Sequence, residues 1–148
     1  MSNIDHTLDM AANIKGAFAV AIVDYESGMT LGSRGGSAEF DLDVAAPGNS
    51  EVVRAKLDVM EKLGLRNEGI EDILITLSTQ YHLIRPIQGA PDEKLFLYLA
   101  LNKAQANLAM ARRDLRVIEQ EFFMAHPSSG AGRNGDTQAF FPSTAGPR

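Results

Sequence analysis

Leu95-Phe96-Leu97-Tyr98-Leu99-Ala100-Leu101 runs seven residues without a charge, and both of its alternating faces are apolar. A strand that is apolar on both sides has to be covered on both sides. One other stretch reads the same way, Ala17-Phe18-Ala19-Val20-Ala21-Ile22-Val23. Together they predict two central, neighbouring strands of one sheet sandwiched between helices.

The rest of the composition bounds what can surround that pair. A chain of 148 residues suits one domain with a single core. Hydrophobic residues make up 45% and charged residues 22%, the values of an ordinary globular domain. The net charge of −5 disfavours nonspecific binding to nucleic acid. With no cysteine there is no disulfide, thiolate metal site or cysteine nucleophile, which fits a reducing cytoplasm. The N-terminus carries Asp5 and Asp9 and lacks a basic start followed by an apolar run, so no signal peptide is expected. The longest apolar runs fall far short of the roughly 20 residues that span a bilayer, so no membrane partner is expected.

Outward from the central strands, Ile4, Leu8, Ala11 and Ala12 at helical spacing predict a short helix over 3–13, which Gly16 ends before the strand 17–24. Tyr25-Glu26-Ser27-Gly28 reads as a tight turn with Gly28 left-handed, returning through a weaker edge strand from Met29 to about Arg34. Ser33-Arg34-Gly35-Gly36-Ser37 reads as a plain loop. No Lys follows to hold a phosphate, and Asp41 and Asp43 would repel an anion. A long helix is expected from Asp41 to Leu63, stopped by Gly64. Pro47-Gly48 inside it either kinks it or moves its ordered start to Asn49-Ser50, with Ser50 as cap.

From Val52 onward the apolar positions of that helix are Val52, Val53, Ala55, Leu57, Val59, Met60 and Leu63, interrupted by Lys56. They cover an arc of roughly 200°, wider than one packed face needs. Such a surplus fits either a helix sunk deep in its own domain or one packed on its sheet and also on a second protomer; the second is favoured, because surplus apolar helix surface marks an interface. Arg54, Asp58 and Glu61 lie away from the arc, at about 180–240° on the wheel. Beyond the helix, Ile70–Ser78 reads as a strand with Ile73, Ile75 and Leu77 on one face, turning back through Thr79-Gln80 into Tyr81–Ile87. A last helix is expected from 103 to about 124, with Ala104, Leu108, Ala111, Leu115, Ile118 and Phe122 as one stripe. The composition of 126–148 predicts a disordered tail outside a domain spanning 1–125, with Phe140 and Phe141 its only large apolar residues.

Catalytic signals are missing. His6, His82 and His126 have no ligand partner at i+4 on a shared helix. Glu71 and Asp72 point to opposite faces of a strand, and Arg112, Arg113 and Arg116 are diluted by Asp114 and Glu119. There is no Gly-x-Ser-x-Gly and no phosphate-loop sequence. No enzyme, cofactor, metal or small-molecule ligand is expected.

The order helix, hairpin, long helix, three strands, helix fits an α+β fold. Its five strands make one antiparallel sheet, order 2-1-5-4-3, with the first and last helices on one face and the long helix on the other. With Gly16-Ala17-Phe18-Ala19-Val20-Ala21-Ile22-Val23-Asp24 followed by Gly28, the stretch Asp41 to Leu63, and Ile73-Leu74-Ile75-Thr76 before Tyr81-His82-Leu83-Ile84, the chain resembles the roadblock domains. These are the dynein-light-chain-like family of profilin-like fold, here in its bacterial form. The resemblance covers about 3–123. Pro47-Gly48 departs from it, as does the Thr79-Gln80 turn where a glycine is common.

The resemblance implies a non-enzymatic homodimer that pairs its long helices across a two-fold axis and joins the edge strands into one sheet. It further implies a regulator or scaffold of a small Ras-like GTPase. The alternatives are an adaptor between non-GTPase proteins, such as a sensor-kinase complex, or a small-ligand sensor in a profilin-like pocket. On that basis the dimer interface is assigned to Val52, Val53, Lys56, Leu57, Val59, Met60, Ile73 and Ile75. Partner binding is assigned to Arg54, Asp58 and Glu61. Arg34 is the one candidate for an arginine inserted into a GTPase, although an edge-strand arginine in a solvated loop is the commoner case.

Overall fold

The computed structural model describes residues 3–88 and 94–125. The tail expected at 126–148 lies outside the described residues. The elements are α1 (Asn3–Ala12), β1 (Ala17–Asp24), β2 (Thr30–Gly35), α2 (Leu42–Lys62), β3 (Ile73–Thr76), β4 (Gln80–Pro86), β5 (Leu95–Asn102) and α3 (Leu108–Ala125). The strands form one antiparallel sheet in the order β2-β1-β5-β4-β3, as expected.

The two-sided strands are indeed central. Val20 pairs with Leu99 and Ile22 with Leu97, facing Leu8 and Ala11 of α1 and Ala111, Leu115, Ile118 and Phe122 of α3. Ala21 pairs with Tyr98 and Val23 with Phe96, facing Leu42, Ala46 and Val53 of α2. Successive side chains on each strand therefore feed two separate cores. The β1–β2 hairpin closes because Asp24 Oδ1 accepts from the backbone N–H groups of Glu26 and Ser27 while Gly28 takes φ 81°.

The long helix is continuous through Pro47. Asp41 is its cap, with Oδ1 accepting from Asp43 N at 2.9 Å, and Gly64 at φ 78° follows its last turn. Ser50 is not a cap; its hydroxyl is buried without a hydrogen-bond partner. Pro47 removes the N–H that would reach the Asp43 carbonyl. Relative to alanine, Pro costs a helix interior about 3 kcal/mol and Gly about 1 kcal/mol. The burial of Leu42, Ala46, Val53 and Met60 holds the helix together across that defect.

Two boundaries differ from expectation. The last helix begins at Leu108 rather than 103, because Asn102 Oδ1 accepts from Ala104 N in a turn and Asn107 Oδ1 then caps Met110 N. Ala104 is consequently exposed instead of joining the stripe. The third strand is shorter than 70–78, since Asp72 is drawn away to a two-bond pair with Arg112 of α3, at 2.8 and 3.0 Å. Nearby, Arg85 Nε donates to Glu119 Oε1 at 2.9 Å in a pair that is almost fully buried, and Glu119 Oε2 accepts from Gln88 N. These two ion pairs pin α3 to the β3–β4 end of the sheet.

Candidate functional site

The helix α2 presents two apolar faces. Leu42, Ala46 and Val53 are buried against the chain's own sheet, Leu57 is half-buried in the same cluster, and Met60 is buried near the helix end. Of the residues assigned to a dimer, Val53 is 0% and Met60 7% exposed, so both serve the core of the single chain. A second row, Ala45, Gly48, Val52, Ala55 and Val59, follows 3-4-3-4 spacing. That is the pattern of a helix-pairing seam. It sits about 100° around the helix from the buried face. Val52 is 37% exposed, Val59 45%, and Leu63, which continues the row, 65%. Lys56 is exposed along it.

The sheet beneath has a half, toward β3, that α2 leaves less covered, although Ile84 on β4 and Tyr98 and Ala100 on β5 are buried there. The helix packs chiefly on β1 and β2. Toward the other edge, Ile73 and Ile75 are half-buried on the α2 side, and Leu77, one residue beyond β3, is 42% exposed. The strand β3 pairs with β4 on one side only, and no Pro or Lys between Glu71 and Ser78 blocks its outer edge. Between the seam and the buried face, Asn49 donates to the Ala45 carbonyl at 2.8 Å and stands near the Tyr98 hydroxyl on β5, whose pKa burial raises and Asn49 lowers, so this flank of α2 is turned toward β5.

Between helix and open half lies a polar chain. The Tyr98 hydroxyl approaches His82 Nδ1 at 3.2 Å, and His82 Nε2 approaches Gln80 Oε1 at 2.7 Å. Phe40 and Tyr98 pack edge-on against the imidazole. Burial lowers the His82 pKa and raises that of Tyr98, so the ring is held neutral and accepts at Nδ1.

Arg54, Asp58 and Glu61 come together at one cleft of about 300 Å³ with Tyr25, Glu26, Leu57 and Lys94. Arg54 donates to the Tyr25 carbonyl and pairs with Glu51 at 2.7 Å; Asp58 pairs with Lys62 at 3.1 Å. The cleft lies on the flank of α2 opposite the seam. In a seam-paired dimer the two copies of this cleft therefore face outward rather than side by side.

Arg34 is tied down. Its guanidinium donates to Asp9 at 2.9 Å, to Asp5 at 3.1 Å and to the Ser33 carbonyl at 2.9 Å. The hydrogen bonds it donates to Asp5 and then to Asp9 raise its pKa. This joins β2 to α1 and does not present a mobile arginine. Arg113 pairs with the adjacent Asp114, as a solvated helix face does. Among the described residues no group of His, Asp or Glu is arranged to hold a metal ion, and no helix is long and apolar enough to cross a membrane.

Carried N-terminally across Pro47, the same 3-4 spacing adds Gly48 and Ala45 to the row, Ala45 being half-buried against the chain's own core.

No model of a protein family matches the sequence, and no curated protein matches it either. Solved structures do match. Myxococcus xanthus MglB aligns over 83% of this chain and 86% of its own, with a TM-score of 0.71 and 15% identity. A roadblock/LC7 domain from Streptomyces avermitilis aligns over 84% and 98%, with a TM-score of 0.68 and 9% identity. A chain of the complex of LokiProfilin2 with rabbit actin aligns over 84% and 98%, with a TM-score of 0.53 and 18% identity. The chain has the roadblock fold, within the wider profilin-like architecture.

Proposed function

We propose that the chain is a homodimeric, non-enzymatic regulator or scaffold that binds a small Ras-like GTPase. The observation that carries the dimer is the coincidence of two unfilled surfaces on one side of the molecule. One is the exposed row through Val52, Val59 and Leu63; the other is the half-covered face of Ile73, Ile75 and Leu77 beside an unpaired strand edge. A second copy related by a two-fold axis fills both at once, its helix covering the open half of the sheet and its β3 extending the ladder. Lys56 lies in this seam with its stem along apolar surface.

The GTPase assignment is supported by the likeness to MglB and to a roadblock domain, together with the cleft of Arg54, Asp58 and Glu61. Such a scaffold acts by positioning the GTPase's own residues, since Arg34 is held by α1. The experiment is capture from an extract of the source cells on immobilised full-length chain, with GDP or a non-hydrolysable GTP analogue added. A Ras-like GTPase retained in one nucleotide state, and lost with the double reversal Arg54→Glu/Glu61→Arg, supports the proposal. Retention of only non-GTPase proteins would replace it with the adaptor reading.

A further inference from the structure

The surfaces used so far belong to α2 and the face of the sheet beneath it. The opposite face carries a cleft of about 510 Å³ between α1 and α3. Ile14 and Ile118, both buried, make its floor. Half-buried Met10 and exposed Val117 make its walls, and the ion pair of Arg113 with Asp114 stands at its rim. Leu115, Ile118 and Phe122 already give α3 its contact with the core. Val117 is apolar surface beyond that stripe, 43% exposed, and no described residue covers it. The two helices run antiparallel, since Asn3 Nδ2 at the start of α1 donates to the Phe122 carbonyl near the end of α3 at 3.4 Å. The cleft is therefore a furrow that follows α3 back from its C-terminus.

The chain continues from that C-terminus. Residues 126–139 are mostly Pro, Ser, Gly, Ala, Asn and Thr without one large apolar side chain, the composition of a tether. Phe140-Phe141 comes next, the first large apolar pair after α3. At a rise of about 1.5 Å per residue, the stretch Asp114–Ile118 lies roughly 10–17 Å back from Ala125. At about 3.3 Å per extended residue, 126–139 reaches roughly 46 Å, more than twice what the return requires. Closing such a loop costs little more than closing a shorter one. The link also holds the two rings near the cleft at an effective concentration on the order of millimolar. The cleft has room for both rings, apolar walls to receive them, and in Arg113 a cation that can lie over an aromatic face. We infer that Phe140-Phe141 docks in cis in the α1–α3 cleft, against Met10, Ile14 and Val117, with 126–139 as its tether. The inference is independent of the dimer and the GTPase proposed above, which use other surfaces.

Its test is a double-mutant cycle in the full-length chain, with Phe140→Ser/Phe141→Ser, Val117→Glu and their combination. Loss of both rings lowers the folding equilibrium constant in urea about tenfold or more where Val117 is intact, because apolar burial is lost at a site the tether supplies cheaply. In the Val117→Glu chain the same loss changes it less than about twofold, as at an uncontacted surface. The coupling is the same at every protein concentration. Methyl resonances of Met10, Ile14 and Val117 move when the rings are removed, while those of Ile73 and Ile75 on the other face of the sheet stay. This spectral comparison needs no change at Val117, so it decides the matter even where Val117→Glu fails to fold. Cleft methyls that are identical with and without the two rings overturn the inference and leave the cleft to another molecule. Shifts at Ile73 and Ile75 instead seat the rings on the α2 face and overturn it. A coupling that grows with concentration seats them on a second copy and overturns docking in cis.

Discussion

Val59→Glu is the substitution that separates the seam from the core. Fully burying a valine side chain is worth about 1.5–3 kcal/mol. Val59 keeps 45% of its surface exposed in the single chain. Covering the remainder contributes about 1 kcal/mol per protomer, or about 2 kcal/mol per two-fold dimer, at the same coefficient. Glutamate forfeits that and adds a carboxylate whose desolvation costs several kcal/mol, again twice. A combined loss beyond about 4 kcal/mol raises the dissociation constant by roughly 10³ or more. A micromolar dimer becomes a monomer at any workable concentration. The fold itself should hold, because in the protomer the new carboxylate stands in water; the urea midpoint should move by no more than about 0.5 kcal/mol allows. Size-exclusion chromatography with light scattering reads the mass and circular dichroism the fold. Val53→Glu is the contrast: at 0% exposure it strikes the protomer core and should unfold the chain. The reasoning is refuted if Val59→Glu elutes at the wild-type dimer mass with its fold intact.

In a GTPase turnover assay, Arg34→Ala should leave the rate within about tenfold, against the roughly 10³-fold or greater loss of a true arginine finger; abolition of turnover with binding intact would make the β2 loop catalytic in trans. Glu119→Ala should lower stability by about 3–5 kcal/mol by stranding the buried Arg85, and pairing it with Arg85→Met should recover much of the loss in urea unfolding. Burial lowers the His82 pKa below its ordinary 6.5, so the folded chain favours the neutral ring. This contribution is present in full above about 6.5 and declines as the pH falls, until the folded-state group protonates too. The urea midpoint should therefore drop between pH 7.5 and 5.5, and His82→Asn should flatten that drop. An equally steep drop in His82→Asn would assign it to other groups.

The central strands were legible because their apolarity is local and two-sided, and Leu95–Leu101 is buried throughout. The hairpin at Gly28 and the span of α2 were legible because turn and cap chemistry sits within a few residues of the feature it creates. What the wheel could not show was how α2 divides its arc. Val52 and Val53 are neighbours in sequence, yet one is exposed and one is core, and only the helix's placement over β1 and β2 decides which. The state of Arg34 was hidden for a similar reason. Its partners Asp5 and Asp9 lie 29 and 25 residues away, and the sequence does not say that β2 runs beside α1. The shortened third strand follows from a partner 40 residues distant, Arg112.

The central claim is that a second copy of the chain covers the α2 seam and the β3 edge together. Hydrogen exchange followed by mass spectrometry, run on the full-length wild type across a concentration range that spans dissociation, tests it most directly. Among the described residues the outward backbone groups of Ile73–Thr76 have no ladder partner beyond β3. The account predicts that protection of 73–76 and of the α2 stretch 45–63 rises with concentration along one shared curve. That rise should coincide with the shift in mass from the 16.0 kDa chain to twice that value. Exchange in both stretches that stays constant while the mass doubles would place the interface elsewhere and contradict it.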